Sequence, residues 1–359
     1  MSTRGGRGDF VPNEVSPSRI NAYVTCGQAF KYNYIDRRPE EQSGSAALFG
    51  LVLHKALEDW APDRTQDLLA LVEDAWLSVT AGTPVLDFVF AYQAISKDII
   101  RAEHECGQKF LADNGRETKA VRMTGHWKRH PVKKRLDAFM AKWYPKLKDS
   151  PWQFKENDPL TGLYNESLIL ARRYQHRMGS LPNSWHAEFG FSVEWRGFVL
   201  KGFIDSLEPI IDSDATIVGF GVVDYKTYRA APSPQKDWRQ RVFYDVAVRE
   251  MLKDGRLDHL PLASKMLPLY VGMDYIRWQE SWLEEAQEKY GYKCGPRVWT
   301  AVTDADRDTL ESELNMYLKG VSAGVFLPAD KGRNVDFCGY PSDCCLRTKG
   351  AGCGGVVEL

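Results

Sequence analysis

One ten-residue stretch, Ile217–Lys226 (IVGFGVVDYK), limits the possible folds of this chain more than any other. It is nearly continuous in apolar residues and then ends in charge, with Asp224 and Lys226 at its close. A strand that is buried on both faces of a sheet has this pattern, because helices cover it on each side. Side chains two residues apart on a strand point to the same face, so a carboxylate and an ammonium group project together there. The stretch therefore predicts a central strand of an α/β fold with charged groups at one end.

The neighbouring segments agree with this fold class. Upstream, HAEFGFSVEW and GFVLKGFIDSLEP alternate apolar and polar residues around Gly197, as two strands joined by a turn do. Downstream, we expect a helix over Lys236–Leu252 and another strand over Met266–Tyr275. Strands that lie between helices indicate a mixed α/β protein. Further helices are predicted over about Ala46–Trp60, Gln66–Thr80, Ala91–Ala112, Val132–Leu147 and Asn165–Met178, with helix N-caps at Ser16 and Thr303.

Composition excludes several classes of protein. The chain has 43% hydrophobic and 12% aromatic residues, enough to bury a large core, so a disordered or low-complexity protein is excluded. No apolar stretch approaches the roughly 20 residues of a membrane-spanning helix. The opening MSTRGGRGDF has no apolar segment after its arginines, unlike a signal peptide. We therefore expect a soluble, cytoplasmic protein that does not bind membranes.

The stretch from Arg116 to Lys148 is a local exception to the net charge of −1. It contains eleven Lys and Arg residues against two acids, and four aromatic residues lie between them: Trp127, Phe139, Trp143 and Tyr144. Basic side chains mixed with aromatic ones suit a phosphate backbone with exposed bases. For a charge run taken alone, a solvated helical face is the more frequent explanation. The residues that we expect to bind DNA are Lys128, Arg129, Lys133, Lys134 and Arg135.

The seven cysteines are unevenly distributed along the chain. An odd number without a secretion signal argues against a disulfide framework. Four of them crowd into the Gly-rich tail, which is typical of ligands for a metal or an iron–sulfur cluster, although the spacing is not the zinc pattern CxxC…CxxC. We expect Cys106 and Cys294 to be packing residues, because free cysteine is commonly buried. The four tail cysteines are Cys338, Cys344, Cys345 and Cys353.

Several short fragments carry residues that suit metal-dependent phosphodiester chemistry. Asp224 can hold Mg²⁺ or Mn²⁺ through hard oxygen ligands, and the adjacent Lys226 can orient the attacking water and stabilise charge on a phosphate. Asp205 ends the preceding strand and offers a second carboxylate. An imidazole from His54, on the predicted Ala46–Trp60 helix, suits Mn²⁺ better than Mg²⁺.

Other residues are placed to support these groups. Gln240 and Tyr244 are four apart on one helix face, where they can touch a scissile phosphate or hold Lys226 in position. Glu188 lies on the strand before Asp205, and we expect it at an exposed strand position, with a supporting acid beside the metal ligands as the alternative. Each fragment alone carries little information, since an Asp-x-Lys pair is usually a surface ion pair. Their order, spacing and structural context together carry the argument.

The chain resembles the PD-(D/E)xK nuclease superfamily, specifically its RecB-like branch. The resemblance is carried by the tail cysteines and by five fragments: SPSRINAYVTCGQAFKYNYI, FGLVLHKALEDW, LKGFIDSLE, VVDYKT and QRVFYDVAV. The chain is similar to the nuclease domain of AddB-type helicase–nucleases and to the CRISPR-adaptation exonucleases. The resemblance implies a restriction-endonuclease-like α/β fold, in which helices flank a mixed central sheet, with a large helical insertion and a C-terminal iron–sulfur clasp. We divide the chain accordingly into N-terminal helices (1–60), the insertion (61–185), the nuclease core (186–325) and the cysteine-rich segment (326–359).

The resemblance also implies roles for individual residues. Lys226 becomes the catalytic lysine, with Gln240 and Tyr244 as its supporting motif. The implied metal ligands are His54, Asp205, Asp224 and the main-chain carbonyl of Tyr225. The implied ligands of a [4Fe–4S] cluster are Cys26, Cys338, Cys344 or Cys345, and Cys353. The family pattern is close to Cys-x2-Cys-x5-Cys, whereas the gaps here are wider and a cysteine doublet occupies the middle position, so either doublet member remains open as the ligand. Zn²⁺ remains the alternative at these thiolates.

These implications describe a Mg²⁺- or Mn²⁺-dependent DNA exonuclease that acts at single-stranded ends in recombination, repair or CRISPR-type processing, in a prokaryote or a phage. The alternative is a nuclease-fold DNA-binding subunit that cuts weakly or not at all, within a helicase–nuclease or spacer-capture complex. A helicase or a recombination or adaptation protein is the expected partner. The chain contains no Gly-Lys-Ser/Thr sequence, so we do not expect it to be the ATP-driven helicase itself.

Overall fold

A computed structural model of the chain describes residues 10–38, 45–148, 160–227, 237–260, 269–290 and 295–327. The strands in these residues are β1 (Glu14–Val15), β2 (His186–Trp195), β3 (Phe198–Ile211), β4 (Ile217–Lys226), β5 (Leu269–Tyr275) and β6 (Arg297–Thr300). The α-helices are α1 (Pro17–Thr25), α2 (Gly27–Phe30), α3 (Ser45–Trp60), α4 (Leu68–Val79), α5 (Val85–Asn114), α6 (Gly125–Arg129), α7 (Pro131–Lys148), α8 (Leu160–Met178), α9 (Trp238–Lys253), α10 (Ser281–Tyr290) and α11 (Asp304–Ser322). A π-helical turn (Lys31–Ile35) follows α2, and a 3₁₀ turn (Val121–Met123) precedes α6.

The strands form one mixed sheet in the order β1-β3-β4-β5-β6, and β2 pairs with β3 as well. Strand β3 runs antiparallel to β2 along most of its length and antiparallel to β4 at its end. Strands β4 and β5 are parallel, and α9 lies between them in the chain, as a parallel pair requires a crossover connection. The predicted mixed α/β class, with helices against a central sheet, is confirmed.

The chain is divided into two units. We call one the sheet unit (Met1–Glu41, His54–Leu71 and Leu170–Leu359) and the other the helical unit (Gln42–Leu53 and Val72–Ile169). Three of the four boundaries between them fall within α3, α4 and α8. The division into 1–60, 61–185, 186–325 and 326–359 that we derived from the sequence stays a prediction.

The core of the sheet unit lies between the sheet and α9. Strand β4 is buried along nearly its whole length, as its apolar sequence predicts. Helix α9 buries most of its residues from Arg241 to Val248, so it packs on more than one side. Phe191 of β2 meets Tyr244 of α9 edge to face, with ring centroids 6.2 Å apart. This packing fixes α9, and with it Gln240 and Tyr244, against the sheet.

The helical unit has its own core. Ile99, Ala102 and Cys106 follow one face of α5 and pack with Trp127 and Val132. The prediction that Cys106 is a packing residue is confirmed; Cys294 lies outside the described residues. Among the helices that the structure describes, none has both the length and the apolar character needed to cross a membrane.

The local signals at the predicted helix ends are confirmed. The Ser16 hydroxyl caps α1 by accepting the Arg19 N–H at 3.2 Å. Thr303 and Asp306 form a reciprocal capping box at the start of α11. Helix α5 begins at Val85 rather than near the predicted residue 91, because Pro84 precedes its first turn and Leu86, Phe88 and Val89 continue its buried face.

Candidate active site

Three acidic residues lie on three neighbouring strands at one level of the sheet. The register of β2 with β3 pairs Ala187 with Ser206 and Phe189 with Ile204, so Glu188 and Asp205 lie between these two pairs. The first pair in the ladder between β3 and β4 is Ser206 with Val223. Asp205 and Asp224 are the next residues on each strand, so they lie side by side at the end of this ladder. Carboxylates this close repel one another unless a cation or a proton lies between them.

His54 of α3 joins two of these acids in a candidate metal site. Its Nδ1 lies 3.5 Å from Oδ2 of Asp205. One ligand atom from each of His54, Glu188 and Asp205 lies within 4.8 Å of the other two. Ligands around a divalent cation of about 2.1 Å bond length are separated by about 3–4 Å, so these side chains need to move little to share one ion. Two carboxylates and an imidazole suit Mg²⁺ or, better, Mn²⁺.

The expectation that Glu188 occupies an exposed strand position is wrong. Its side chain is half-buried and belongs to the metal group with His54 and Asp205. Its φ is +46°, a left-handed conformation that is strained for a residue with a Cβ. The regular pleat of β2 is interrupted at this residue, so the alternation of inward and outward side chains no longer predicts where the carboxylate lies. Strain of this kind persists where the surrounding structure enforces it, and it clusters at functional sites.

Asp205 also ties the site to the backbone of β4. Its Oδ2 accepts the N–H of Tyr225 at 2.7 Å, and the side chain is buried. The same oxygen lies near His54, so one carboxylate links α3, β3 and β4. The role predicted for the Tyr225 carbonyl as a metal ligand stays a prediction.

Asp224 and Lys226 form a second group with two residues of α9. Lys226 Nζ lies 2.5 Å from Oδ2 of Asp224 and donates to Gln240 Oε1 at 2.7 Å. The Gln240 amide donates to Oδ1 of Asp224 at 2.5 Å and to the Tyr244 hydroxyl at 2.8 Å. Tyr244 in turn donates to Oδ1 of Asp224 at 3.0 Å. Gln240 thus contacts both the ammonium and the carboxylate, and Tyr244 contacts the carboxylate; their supporting role in catalysis stays a prediction.

The pKa values of the metal group record its excess of negative charge. Burial and the nearby charge of Asp205 raise the pKa of Glu188 to about 7. Burial alone would lower the pKa of His54, but Asp205, Asp224 and Glu188 outweigh it and the pKa of the imidazole is raised. A cation that binds here at neutral pH therefore competes with a proton on Glu188.

In the second group, burial raises the pKa of Asp224 to about 6, against the opposing effect of Lys226 and with the added effect of Asp205. Burial alone would lower the pKa of Lys226, but Asp224 and Asp237 raise it above its ordinary value. Asp237 lies 3.8 Å from the ammonium. The lysine is therefore a fixed positive charge throughout the physiological pH range, not a proton acceptor.

A buried network of ion pairs, which we call the polar layer, was not predicted from the sequence. Glu208 of β3 binds Arg64 at 2.5 Å through one oxygen and Arg297 of β6 at 2.6 Å through the other. Arg297 also binds Asp274 of β5 at 2.6 Å, and the Tyr174 hydroxyl donates to Asp274 at 2.6 Å. Buried charges are costly unless they are paired in this way, so the loss of one partner is strongly destabilising.

The polar layer is connected to the metal group through two tyrosine rings. Tyr174 meets Tyr225 edge to face at 6.3 Å, and Tyr225 meets His54 in the same manner at 6.1 Å. The central residue of the Asp-Tyr-Lys fragment thus lies between the polar layer and the His54 imidazole. Its side chain supports the position of the histidine.

The predicted DNA-binding residues lie on α6 and α7 of the helical unit. Lys133 pairs with Asp137 at 2.5 Å, and Arg135 pairs with Asp98 at 3.2 Å. The side chains of Lys128, Arg129, Lys134 and Arg135 are exposed. Their role in DNA binding stays a prediction.

The interleaved aromatic residues mostly belong to the packing of the helical unit. Trp127 is buried, and Phe139 and Trp143 pack against Phe88 with ring centroids 5.7 and 6.0 Å apart. Tyr144 is the exposed member of the four. The stretch is therefore an amphipathic helical surface with an aromatic inner face, and Tyr144 is the one ring of the four free to stack on bases.

Of the predicted cluster ligands, Cys26 lies in the described part of the chain. It separates α1 from α2, is half-buried, and its sulfur accepts the N–H of Ala29 at 3.5 Å. The tail cysteines lie outside the described residues: Cys338, Cys344, Cys345 and Cys353.

Comparison with known protein families identifies the superfamily of this chain. A sequence profile of the PD-(D/E)XK nuclease superfamily matches residues 14–345, which is most of the chain. No curated protein matches the chain. The match includes every residue of the two groups described above.

Proposed function

Since the chain belongs to the PD-(D/E)XK nuclease superfamily, we propose that it is a DNA exonuclease that uses Mg²⁺ or Mn²⁺ and acts at single-stranded ends. The observation that supports this most directly is the convergence of His54, Glu188 and Asp205 beside the Asp224–Lys226 pair. A nuclease fold that only binds DNA would not need three carboxylates placed so close together that they repel one another. A bound cation would neutralise the repulsion between these carboxylates. The strained backbone at Glu188 would then serve to hold one of them at the cation.

The side chains divide the work of hydrolysis between them. When bound, a divalent cation neutralises charge on the scissile phosphate and activates the attacking water. His54, Glu188 and Asp205 would hold it, with Asp224 as a further carboxylate beside them. The Lys226 ammonium would orient the water and stabilise charge on the phosphate, since it remains protonated. Gln240 keeps Lys226 next to Asp224 and thereby fixes the geometry of the attack.

The exposed cations of the helical unit support binding of the phosphate backbone. Lys128, Arg129 and Lys134 have solvent-exposed side chains on α6 and α7, where a nucleic-acid strand can reach them. Their contribution is expected to fall as salt is raised, because phosphate contacts release counterions.

The experiment is a cleavage assay on end-labelled single-stranded and blunt duplex DNA with Mg²⁺, with Mn²⁺ and with a chelator. The wild-type chain is compared with Asp224→Asn and with Asp258→Asn, an exposed acid outside the site. We expect metal-dependent release of nucleotides from the ends of single strands by the wild type and by Asp258→Asn, and none by Asp224→Asn. Binding without cleavage by the wild type with either metal would instead identify a non-cutting DNA-binding subunit.

The proposal extends to a cluster held by Cys26 and three of the tail cysteines, with [4Fe–4S] favoured over Zn²⁺. Its support is the path of the chain after α11. The Tyr23 hydroxyl donates to the carbonyl of Val325 at 3.0 Å. A Cβ on Gly27 would lie 2.7 Å from the backbone of Leu327, so the chain that leads to the tail passes directly beside Cys26. Glycine at position 27 is what permits this approach.

The cluster is tested by the absorption spectrum and the iron and zinc content of protein purified without oxygen. We expect a broad shoulder in the visible region and about four irons per chain. Cys26→Ala should lose both, whereas Cys106→Ala should keep both, because Cys106 packs in the core of the helical unit. A colourless protein that contains zinc would keep the nuclease proposal and replace the cluster by a zinc site.

A further inference from the structure

One face of the hairpin formed by β2 and β3 is open to solvent. Along β2, residues from Gly190 to Trp195 alternate strictly between exposed and buried. The buried face of the hairpin packs into the core of the sheet unit through Phe191, Val193, Leu200 and Ile204. The other face carries exposed residues from both strands: Gly190, Ser192, Glu194, Lys201 and Phe203.

Phe203 is the large apolar residue on this open face, and 63% of it is exposed. Its ring lies over Gly190, its partner across the ladder, where a Cβ would approach the ring to 3.2 Å. The ring therefore lies beside the Gly190 backbone, while most of the residue stays exposed to solvent. An exposed phenylalanine in this position gains little from folding, since most of its surface stays in water.

The position of Phe203 relative to the metal group is fixed by the two strands. Phe203 lies two residues before Asp205 on β3, and Gly190 lies two residues after Glu188 on β2. Residues two apart on a strand are about 7 Å apart. The backbone position that carries the ring is therefore about one nucleotide step from Asp205.

We propose that Phe203 is the stacking platform for an unpaired base next to the scissile phosphate. This inference rests on the proposed function and adds to it the residue that selects single-stranded substrate. Aromatic side chains bind bases through their π faces with little regard to sequence, and Phe203 is mostly exposed to solvent. A base in a duplex is paired and stacked between its neighbours, so it is not available to the ring. The geometry thus favours strands whose bases are unpaired at the site of cleavage.

A second aromatic residue of the sheet unit provides a comparison. The Trp299 ring lies over Gly221 and Gly272, where a Cβ would approach it to 2.5 and 2.7 Å. Trp299 is 38% exposed, so a larger fraction of its surface is buried than in Phe203, and its ring covers the two glycines. Covering a glycine is an ordinary way to stabilise a sheet. If Phe203 did only this, its loss would affect stability and not the choice of substrate.

The experiment compares kcat/KM on single-stranded and blunt duplex DNA for the wild type, Phe203→Leu, Phe203→Trp and the control Trp299→Leu, with Mn²⁺. A single abasic nucleotide is also moved along the single-stranded substrate. We expect Phe203→Leu to lower kcat/KM on single strands about tenfold or more, from the usual energy of one stacked base, and to change duplex cleavage less. Phe203→Trp and Trp299→Leu should retain the wild-type preference. Thermal denaturation of each variant checks that it is folded.

The abasic substrates separate stacking from a general effect on the site. At one position, loss of the base should lower the wild-type rate as much as Phe203→Leu does, and should lower the rate of that variant no further. The inference is overturned if Phe203→Leu cleaves single strands as well as the wild type, or if the full abasic effect persists in the variant. Failure of the wild type to cleave any DNA with either metal would refute the proposed function itself, and is therefore a different result.

Discussion

Glu188 offers the sharpest test of the metal site, because its charge is costly when no cation is bound. Its pKa is raised from an ordinary value of 4.5 to about 7 by burial and by Asp205. A raised pKa in the folded state contributes stability that is fully present below pH 4.5 and is lost as the pH rises through 7. Glu188→Gln keeps the shape of the side chain and removes the charge. It should therefore stabilise the metal-free protein at pH 8 and have little effect at pH 5.

The size of the effect follows from the same values. The difference between 4.5 and about 7 corresponds to about 3 kcal/mol, at about 1.36 kcal/mol per pH unit. Because the side chain is only half-buried, solvent screening reduces this to about 1–2 kcal/mol. For a chain of 359 residues, that gain raises the Tm by roughly 1–3 °C.

The assay is thermal denaturation at both pH values, first with a chelator and then with Mn²⁺. Glu194→Gln is the matched control, since it removes an exposed glutamate from the same strand. Mn²⁺ at a hundredfold excess over its Kd should stabilise the wild type by about 2.7 kcal/mol at pH 8, and the variant by clearly less. A Glu188→Gln protein that is less stable than the wild type in chelator at pH 8, or that gains as much from Mn²⁺, would show that this carboxylate is not part of a cation site.

Two further substitutions test the support of the site. Gln240→Met should lower kcat by about tenfold to a hundredfold with little change in KM, because it removes the amide that holds Lys226 beside Asp224. Single-turnover cleavage measures this effect. An unchanged rate would contradict the positioning role of Gln240. Arg297→Met should lower the free energy of unfolding by about 3–5 kcal/mol, because it leaves Glu208 and Asp274 buried with fewer partners. Denaturant unfolding measures this loss. A loss below about 1 kcal/mol would mean that the polar layer is not a stabilising network.

Much of the fold followed from local patterns in the sequence. The apolar spacing of α3 and the continuous apolar run of β4 placed both elements within a residue or two of their observed ends. Those elements carry His54, Asp224 and Lys226, and the structure brings these residues to one region of the sheet unit. The signals succeeded because each depends on residues that are close in the chain.

Features that depend on distant residues or on irregular backbone were missed. The position of Glu188 follows from a left-handed residue that interrupts the alternation of β2, which no periodic pattern contains. The polar layer joins Arg64 to Glu208 across 144 positions, and the four-residue strand that carries Arg297 is too short to have a pattern of its own. The sequence also did not show that Phe139 and Trp143 pack inside the helical unit. Aromatic residues at helical spacing suit either a core or a nucleic-acid surface.

The contact between Tyr23 and Val325 has a consequence for the order of folding during synthesis. The hydrogen bond from Tyr23 to Val325 spans 302 positions, so it forms only after residue 325 has left the ribosome. The helical unit, by contrast, draws most of its residues from the single stretch Val72–Ile169 and can pack while the rest is still being made. Strands β2, β3 and β4 follow that stretch, and α3 precedes it. We therefore expect a chain that has emerged only as far as residue 169 to hold a folded helical unit and no assembled metal site, because Glu188 and Asp205 follow that stretch.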